Sequence, residues 1–126
     1  MLREKNIPFY EEKGQISHFL LHFATREIQA MKESQFQSRL IRDLKNLFPG
    51  CIVMKNDANY IQGIPDLLVL YRDKWAALEC KQNSAARRQP NQEYYVEQMN
   101  KMSFSRFVCP ENKEEVLNEL QQAFEV

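Results

Sequence analysis

Histidine is nearly missing from this 126-residue chain, which has only His18 and His22, and its three cysteines stand far apart at Cys51, Cys80 and Cys109. No Cys-x-x-Cys pair exists, which excludes the common zinc frameworks and argues against a disulfide scaffold. The thiols read as free and buried, one in each of three expected strands. His18 and His22 are four apart, a spacing that one helix face can use for a metal. No neighbouring ligand completes that set, so the pair reads as packing or surface residues. Long apolar runs are also lacking. None approaches the ~18 residues of a membrane span, and no apolar signal core follows Met1-Leu2-Arg3-Glu4-Lys5, so the expectation is an intracellular protein without a membrane partner. Net charge is zero, with 17 basic and 17 acidic residues, and bulk composition does not announce a nucleic-acid binder.

Glycine is scarce too, and its placing carries information. From Ser17 to Phe48 there is neither Gly nor Pro, so helix is the default. Phe19, Leu20, Phe23, Ile28 and Met31 form one apolar stripe, and Phe36, Leu40, Ile41, Leu44 and Leu47 a cleaner one. Glu33-Ser34 is the expected break, with Ser34 as cap. Residues before about 15 read as an irregular arm. Phe48-Pro49-Gly50 stops the helix, and Cys51–Asn56 reads as the first strand. After a polar loop, Gly63 allows a backbone conformation that other residues resist. Pro65 cannot donate to a sheet ladder and suits the start of a strand.

What the chain does contain, 44% hydrophobic and 11% aromatic residues, suits one globular domain. Its centre is Ile64-Pro65-Asp66-Leu67-Leu68-Val69-Leu70-Tyr71, followed by Trp75-Ala76-Ala77-Leu78-Glu79-Cys80-Lys81. Two apolar runs joined by a short polar connection predict an antiparallel hairpin. An even, symmetric loop sets Tyr71 opposite Lys74 and therefore Asp66 opposite Glu79, with Cβ atoms roughly 5 Å apart. Alternation puts Glu79 and Lys81 on one face and Leu78 and Cys80 on the other. Two carboxylates that close repel unless a proton, an arginine or a cation lies between them. An all-oxygen pair suits Mg²⁺, which keeps several waters, and Lys81 adds a fixed positive charge where a reacting oxygen would sit. A plain salt-bridged hairpin end is the competing reading. The upstream Pro-Asp at the paired register favours the functional one.

Beyond Lys81, Gln82–Gln89 reads as a mobile basic loop. Pro90 opens a helix that runs to Lys101, Phe104–Cys109 is a last strand, and Glu111–Phe124 is a terminal helix. From Arg72 to Arg88 five basic residues face two acids, while Glu111–Val126 holds five acids and one lysine. A basic strip beside an acidic pocket suits phosphate contacts.

Pro65-Asp66, twelve intervening residues and Glu79-Cys80-Lys81 resemble the PD-(D/E)xK nuclease motif. With Gly63-Ile64 ahead and Gln92 behind, the string is similar to the VRR-NUC branch, notably its small stand-alone phage and bacterial members. The resemblance covers roughly Glu33 to Cys109. It implies an α/β, restriction-endonuclease-like core: a mixed sheet of about four strands flanked by helices. Residues 33–126 would form the nuclease domain; residues 1–32, an arm and extra helix that the resemblance does not cover, would serve either dimerisation or packing against the sheet. It further implies a Mg²⁺- or Mn²⁺-dependent endonuclease cutting DNA, in a bacterial cytoplasm or a phage-infected cell. Asp66, Glu79, Lys81 and Gln92 would be catalytic. Asp66, Glu79, the Cys80 backbone carbonyl and Glu33 would hold the metal, and Lys55, Arg87 and Arg88 would touch DNA. Such small proteins resemble dimeric Holliday-junction resolvases, so branched DNA and a homodimer are expected. A non-catalytic DNA-binding module and a sequence-specific restriction-type nuclease are the alternatives.

Overall fold

The computed structural model describes residues 32–125. The expected arm, the leading helix with its dimerisation role, and His18 and His22 lie outside the described residues.

Residues 32–47 are helical (α1). They precede strands β1 (Ile52–Lys55), β2 (Leu67–Tyr71) and β3 (Lys74–Cys80), helix α2 (Pro90–Met102), strand β4 (Ser105–Val108) and helix α3 (Lys113–Phe124). The four strands form one mixed sheet in the order β1-β2-β3-β4. The first two pairings are antiparallel and β3–β4 is parallel, with α2 supplying the crossover that a parallel pair requires. The architecture is therefore α/β, a four-stranded mixed sheet with three helices among the described residues. None of these helices is long and apolar enough to cross a membrane.

The hairpin has the register its loop dictates. Tyr71 faces Lys74 and Leu67 faces Leu78, so continuing the ladder by one residue sets Asp66 opposite Glu79. Only Arg72 and Asp73 make the turn, and Arg72 takes a left-handed φ of 58°, which closes the connection tightly.

Each face of the sheet has its own cover. Leu67, Val69, Ala76, Leu78, Cys80 and Val108 meet Phe36, Leu40 and Leu44 of α1 and Val116, Leu117, Leu120 and Phe124 of α3 in one buried cluster. At the hairpin's turn end Phe48 packs on Phe124 and Tyr71, with ring centroids 5.0 and 5.2 Å away, in the tilted arrangements aromatic pairs prefer. The opposite face carries α2, which lies over β3 and β4 and has no fully buried residue. Ile52 and Met54 on β1 consequently stay 58% and 46% exposed.

Two helical expectations are corrected. Ser34 is helical and exposed, so within the described residues Glu33-Ser34 is no break. Leu47, expected in the apolar stripe, is 36% exposed, and Phe48 is buried in its place. The helix ends at 47, and the turn that follows swings the next side chain inward.

Candidate metal and nuclease site

The site grows from the end of the hairpin opposite its turn. Pro65 is buried and has no N–H to leave unpaired. Asn56, just beyond β1, donates its backbone N–H to the Asp66 carbonyl and its side-chain amide to the Pro65 carbonyl, both at 2.8 Å. These two bonds fix where the chain enters β2, and the Asp66 carboxylate then accepts the Cys80 backbone N–H at 2.9 Å through Oδ2. Asn56 belongs to no motif in the sequence. An amide directly after a strand and shortly before Pro-Asp was the available signal.

Glu79 is 4% exposed, buried on the α2 side of the sheet. Its Oε2 accepts the Gln92 amide at 2.9 Å, while Oε1 is buried without a hydrogen-bond partner among the described residues. A buried acceptor left unmade is costly and uncommon in a native fold. Burial foremost, and then the charge of Asp66, pushes the Glu79 carboxyl up to about 8. Burial likewise raises the Asp66 carboxyl, opposed by the Cys80 N–H and by Lys81.

Lys81 completes the cluster. Its Nζ donates to Gln92 Oε1 at 2.8 Å and to the Arg87 carbonyl at 2.9 Å, and lies 3.9 Å from Glu79 Oε2. Gln92 is the third residue of α2, and its Oε1 also accepts the Gln89 N–H at 3.0 Å, closing the helix start. One amide therefore orients a carboxylate, a lysine and a helix terminus together. The loop after Lys81, expected as a mobile element, makes several hydrogen bonds. The Arg87 carbonyl anchors Lys81, Asn83 caps its own turn through Ala85 and Ala86, and Ser84 reaches Glu111.

The remaining expected residues fall around this centre. Cys80 turns its thiol into the core on the opposite face, where burial pushes it up to about 12. That thiol stays protonated, and only the Cys80 backbone faces the acids. Glu33, on the first described turn of α1, is largely exposed. Partial burial and the charge of Asp66 raise its carboxyl. Glu33 also raises the Glu79 carboxyl in turn, so its charge is felt by both acids, although among the described residues no three His, Cys, Asp or Glu side chains gather as a metal cage. Lys55 is exposed at the end of β1 and pairs with Leu67. Strand alternation thus puts it on the α1 face, away from the Asp66 side chain. Arg87 is exposed, and Arg88 lays its guanidinium 3.9 Å over the Phe107 ring. Tyr94 is 57% exposed beside Tyr95, leaving its ring open to solvent.

Taken alone, the donor set fits a divalent cation of the hard, oxygen-seeking kind. Two carboxylates converge, one has an oxygen lacking a partner among the described residues, and the pair holds a proton near neutral pH that a cation would displace. Comparison of the chain with protein-family models, curated proteins and solved structures gives no match.

Proposed function

We propose that this chain is a Mg²⁺- or Mn²⁺-dependent endonuclease that hydrolyses DNA phosphodiester bonds on a restriction-endonuclease-like core of the VRR-NUC kind. The observation that carries the reading is Glu79 Oε1, buried and without a partner among the described residues, beside Asp66 at the sheet end that also presents Lys81. Asp66, Glu79 and the Cys80 backbone carbonyl would hold the ion, joined by Glu33. When bound, such an ion lowers the pKa of a coordinated water and offsets charge on the scissile phosphate. Lys81 has three N–H donors. Two serve Gln92 and the Arg87 carbonyl, which leaves one to orient the attacking water or meet the pentacovalent phosphorus oxygens. Gln92 keeps Lys81 and Glu79 in register, and Lys55, Arg87 and Arg88 hold the DNA backbone without reading sequence. The finer expectation is branched DNA cut by a homodimer, since a two-fold pair presents two sites to a junction.

The test is cleavage of a labelled four-way junction, a flap and a linear duplex in Mg²⁺, Mn²⁺ or EDTA, beside Lys81→Ala. Metal-dependent cutting of the branched substrates that is lost in Lys81→Ala, with DNA binding kept, is the expected result. Binding without cutting in every metal would overturn the catalytic reading and leave a DNA-binding module. Cutting that tracks sequence instead of branching would point to a restriction-type nuclease.

A further inference from the structure

Two described glycines share a left-handed φ of +90°, Gly50 and Gly63, a region that side chains resist. Their surroundings differ. Among the described residues a Cβ at Gly50 would meet nothing within 4 Å, whereas at Gly63 it would fall 2.4 Å from Asn91 Cβ, 2.8 Å from its carbonyl carbon and 3.1 Å from its carbonyl oxygen. Asn91 belongs to the first turn of α2 and directly precedes Gln92. The Gly63 backbone thus rests against the helix start that delivers Gln92 to Glu79 and Lys81.

The loop carrying Gly63 is held from its other side as well. The Asp57 carbonyl accepts the N–H groups of Tyr60 and Ile61, the Asp57 side chain accepts that of Asn59, and Ile64 closes back on the Ile61 carbonyl. Asn56 then ties Pro65 and Asp66 to the end of β1. A rigid loop fixed to the Asp66 strand at one end and seated on α2 at Gly63 works as a spacer between the two.

We propose that Gly63 is a positioning residue: the side chain it lacks sets the separation between the Asp66 strand end and α2, and so places Gln92 between Glu79 and Lys81. Two of the three contacts are with helix backbone, so no rotamer change relieves them. Restoring ordinary carbon–carbon contact moves the loop and α2 apart by about 1 Å. The Gln92 bonds to Lys81 and Glu79, 2.8 and 2.9 Å long, do not survive such a shift. The consequence for cutting rests on the nuclease reading, but the placement of Gln92 does not.

The experiment compares Gly63→Ala with Gly50→Ala, which carries the same φ demand without the contact. In metal-free protein, the Gln92 side-chain amide resonances, identified by their loss in Gln92→Ala, should move toward the free-amide position in Gly63→Ala and stay in place in Gly50→Ala. In cutting assays, Gly63→Ala should lower kcat by roughly tenfold to a hundredfold while DNA affinity stays within about twofold. Adding it to Gln92→Ala should cost little more, since coupled residues do not add. Unmoved Gln92 resonances in Gly63→Ala, or losses that multiply in the double variant, would overturn the proposal. A wild-type protein that fails to cut removes the nuclease reading, and the resonances still decide the placement. If Gly63→Ala does not fold, Gly63→Ala/Asn91→Gly removes the nearest contact. The contacts with the Asn91 carbonyl carbon and oxygen remain, so this variant should regain only part of the folded population, with the Gln92 resonances still displaced; undisplaced resonances there would overturn the proposal.

Discussion

Glu79 is the residue where folding and chemistry conflict most directly. Its carboxyl titrates at about 8 in the fold against an ordinary 4.5, so the folded chain holds a proton that the unfolded chain releases at lower pH. The sign follows: this group adds no penalty below about pH 4.5, and stability falls as pH rises from there through about 8. The penalty at its full extent is on the order of a few kcal/mol. In EDTA the melting temperature should therefore decline between pH 5 and pH 8, and Glu79→Gln should flatten that decline and, on the proposed nuclease reading, abolish cutting. An unchanged pH slope in Glu79→Gln would place the burden on another group. Mg²⁺ should raise stability more as pH rises toward 8, where the proton competes less for the carboxylate, while near pH 7 binding has to displace that proton. Calorimetric titrations in two buffers of different ionisation enthalpy should then report close to one proton released per ion bound.

At the level of elements, the outer edge of β4 shows how the sheet ends without pairing to another chain. Asn100 Oδ1 accepts the Ser105 N–H at 3.1 Å, Asn112 Nδ2 donates to the Phe107 carbonyl at 3.0 Å, and Asn112 Oδ1 accepts the Cys109 N–H at 2.8 Å. Asn112 thus stands in for a neighbouring strand's peptide group and blunts an edge that would otherwise invite association. Asn112→Ala should cost about 1–2 kcal/mol in urea unfolding and increase self-association in light scattering, whereas the exposed Asn118→Ala should do neither. These caps were not legible in the sequence, because an asparagine's partner across a turn leaves no periodic trace. The hairpin was legible, since an even loop between apolar runs admits one symmetric register, and Tyr71 opposite Lys74 bears that out. The pairing of Asp66 with Glu79 follows from the same register. The Glu79–Gln92–Lys81 hydrogen bonds could not be read by spacing alone, because they join β3 to α2 across the loop between them. Nor could the uneven cover of the sheet, where α2 protects β3 and β4 and leaves Ile52 and Met54 exposed.

For the whole molecule, electrostatics decides how DNA would be held. With 17 charges of each sign, no long-range field draws a polyanion to every face, so binding must come from a local cluster. Arg87 and Arg88 stand on the loop beside Lys81, and the Arg88 guanidinium also stacks on Phe107, while Lys55 sits on the other side of the sheet end. A protein that neutralises few phosphates has a shallow salt dependence, and each lost phosphate contact lowers the slope of log K against log salt by about 1. Arg87→Ala should lose one such unit with little change in stability. Arg88→Ala should lose a similar amount and also some stability, because the guanidinium covers an aromatic ring. Lys55→Ala separates two geometries. A slope reduced by about 1 means that DNA wraps the end of the sheet onto the α1 side. An unchanged slope means that the strand follows only the α2 side, over Arg87 and Arg88. Equal slopes for all three variants and the wild type would show that these cations do not contact phosphate, and the proposed DNA-binding face would have to be abandoned.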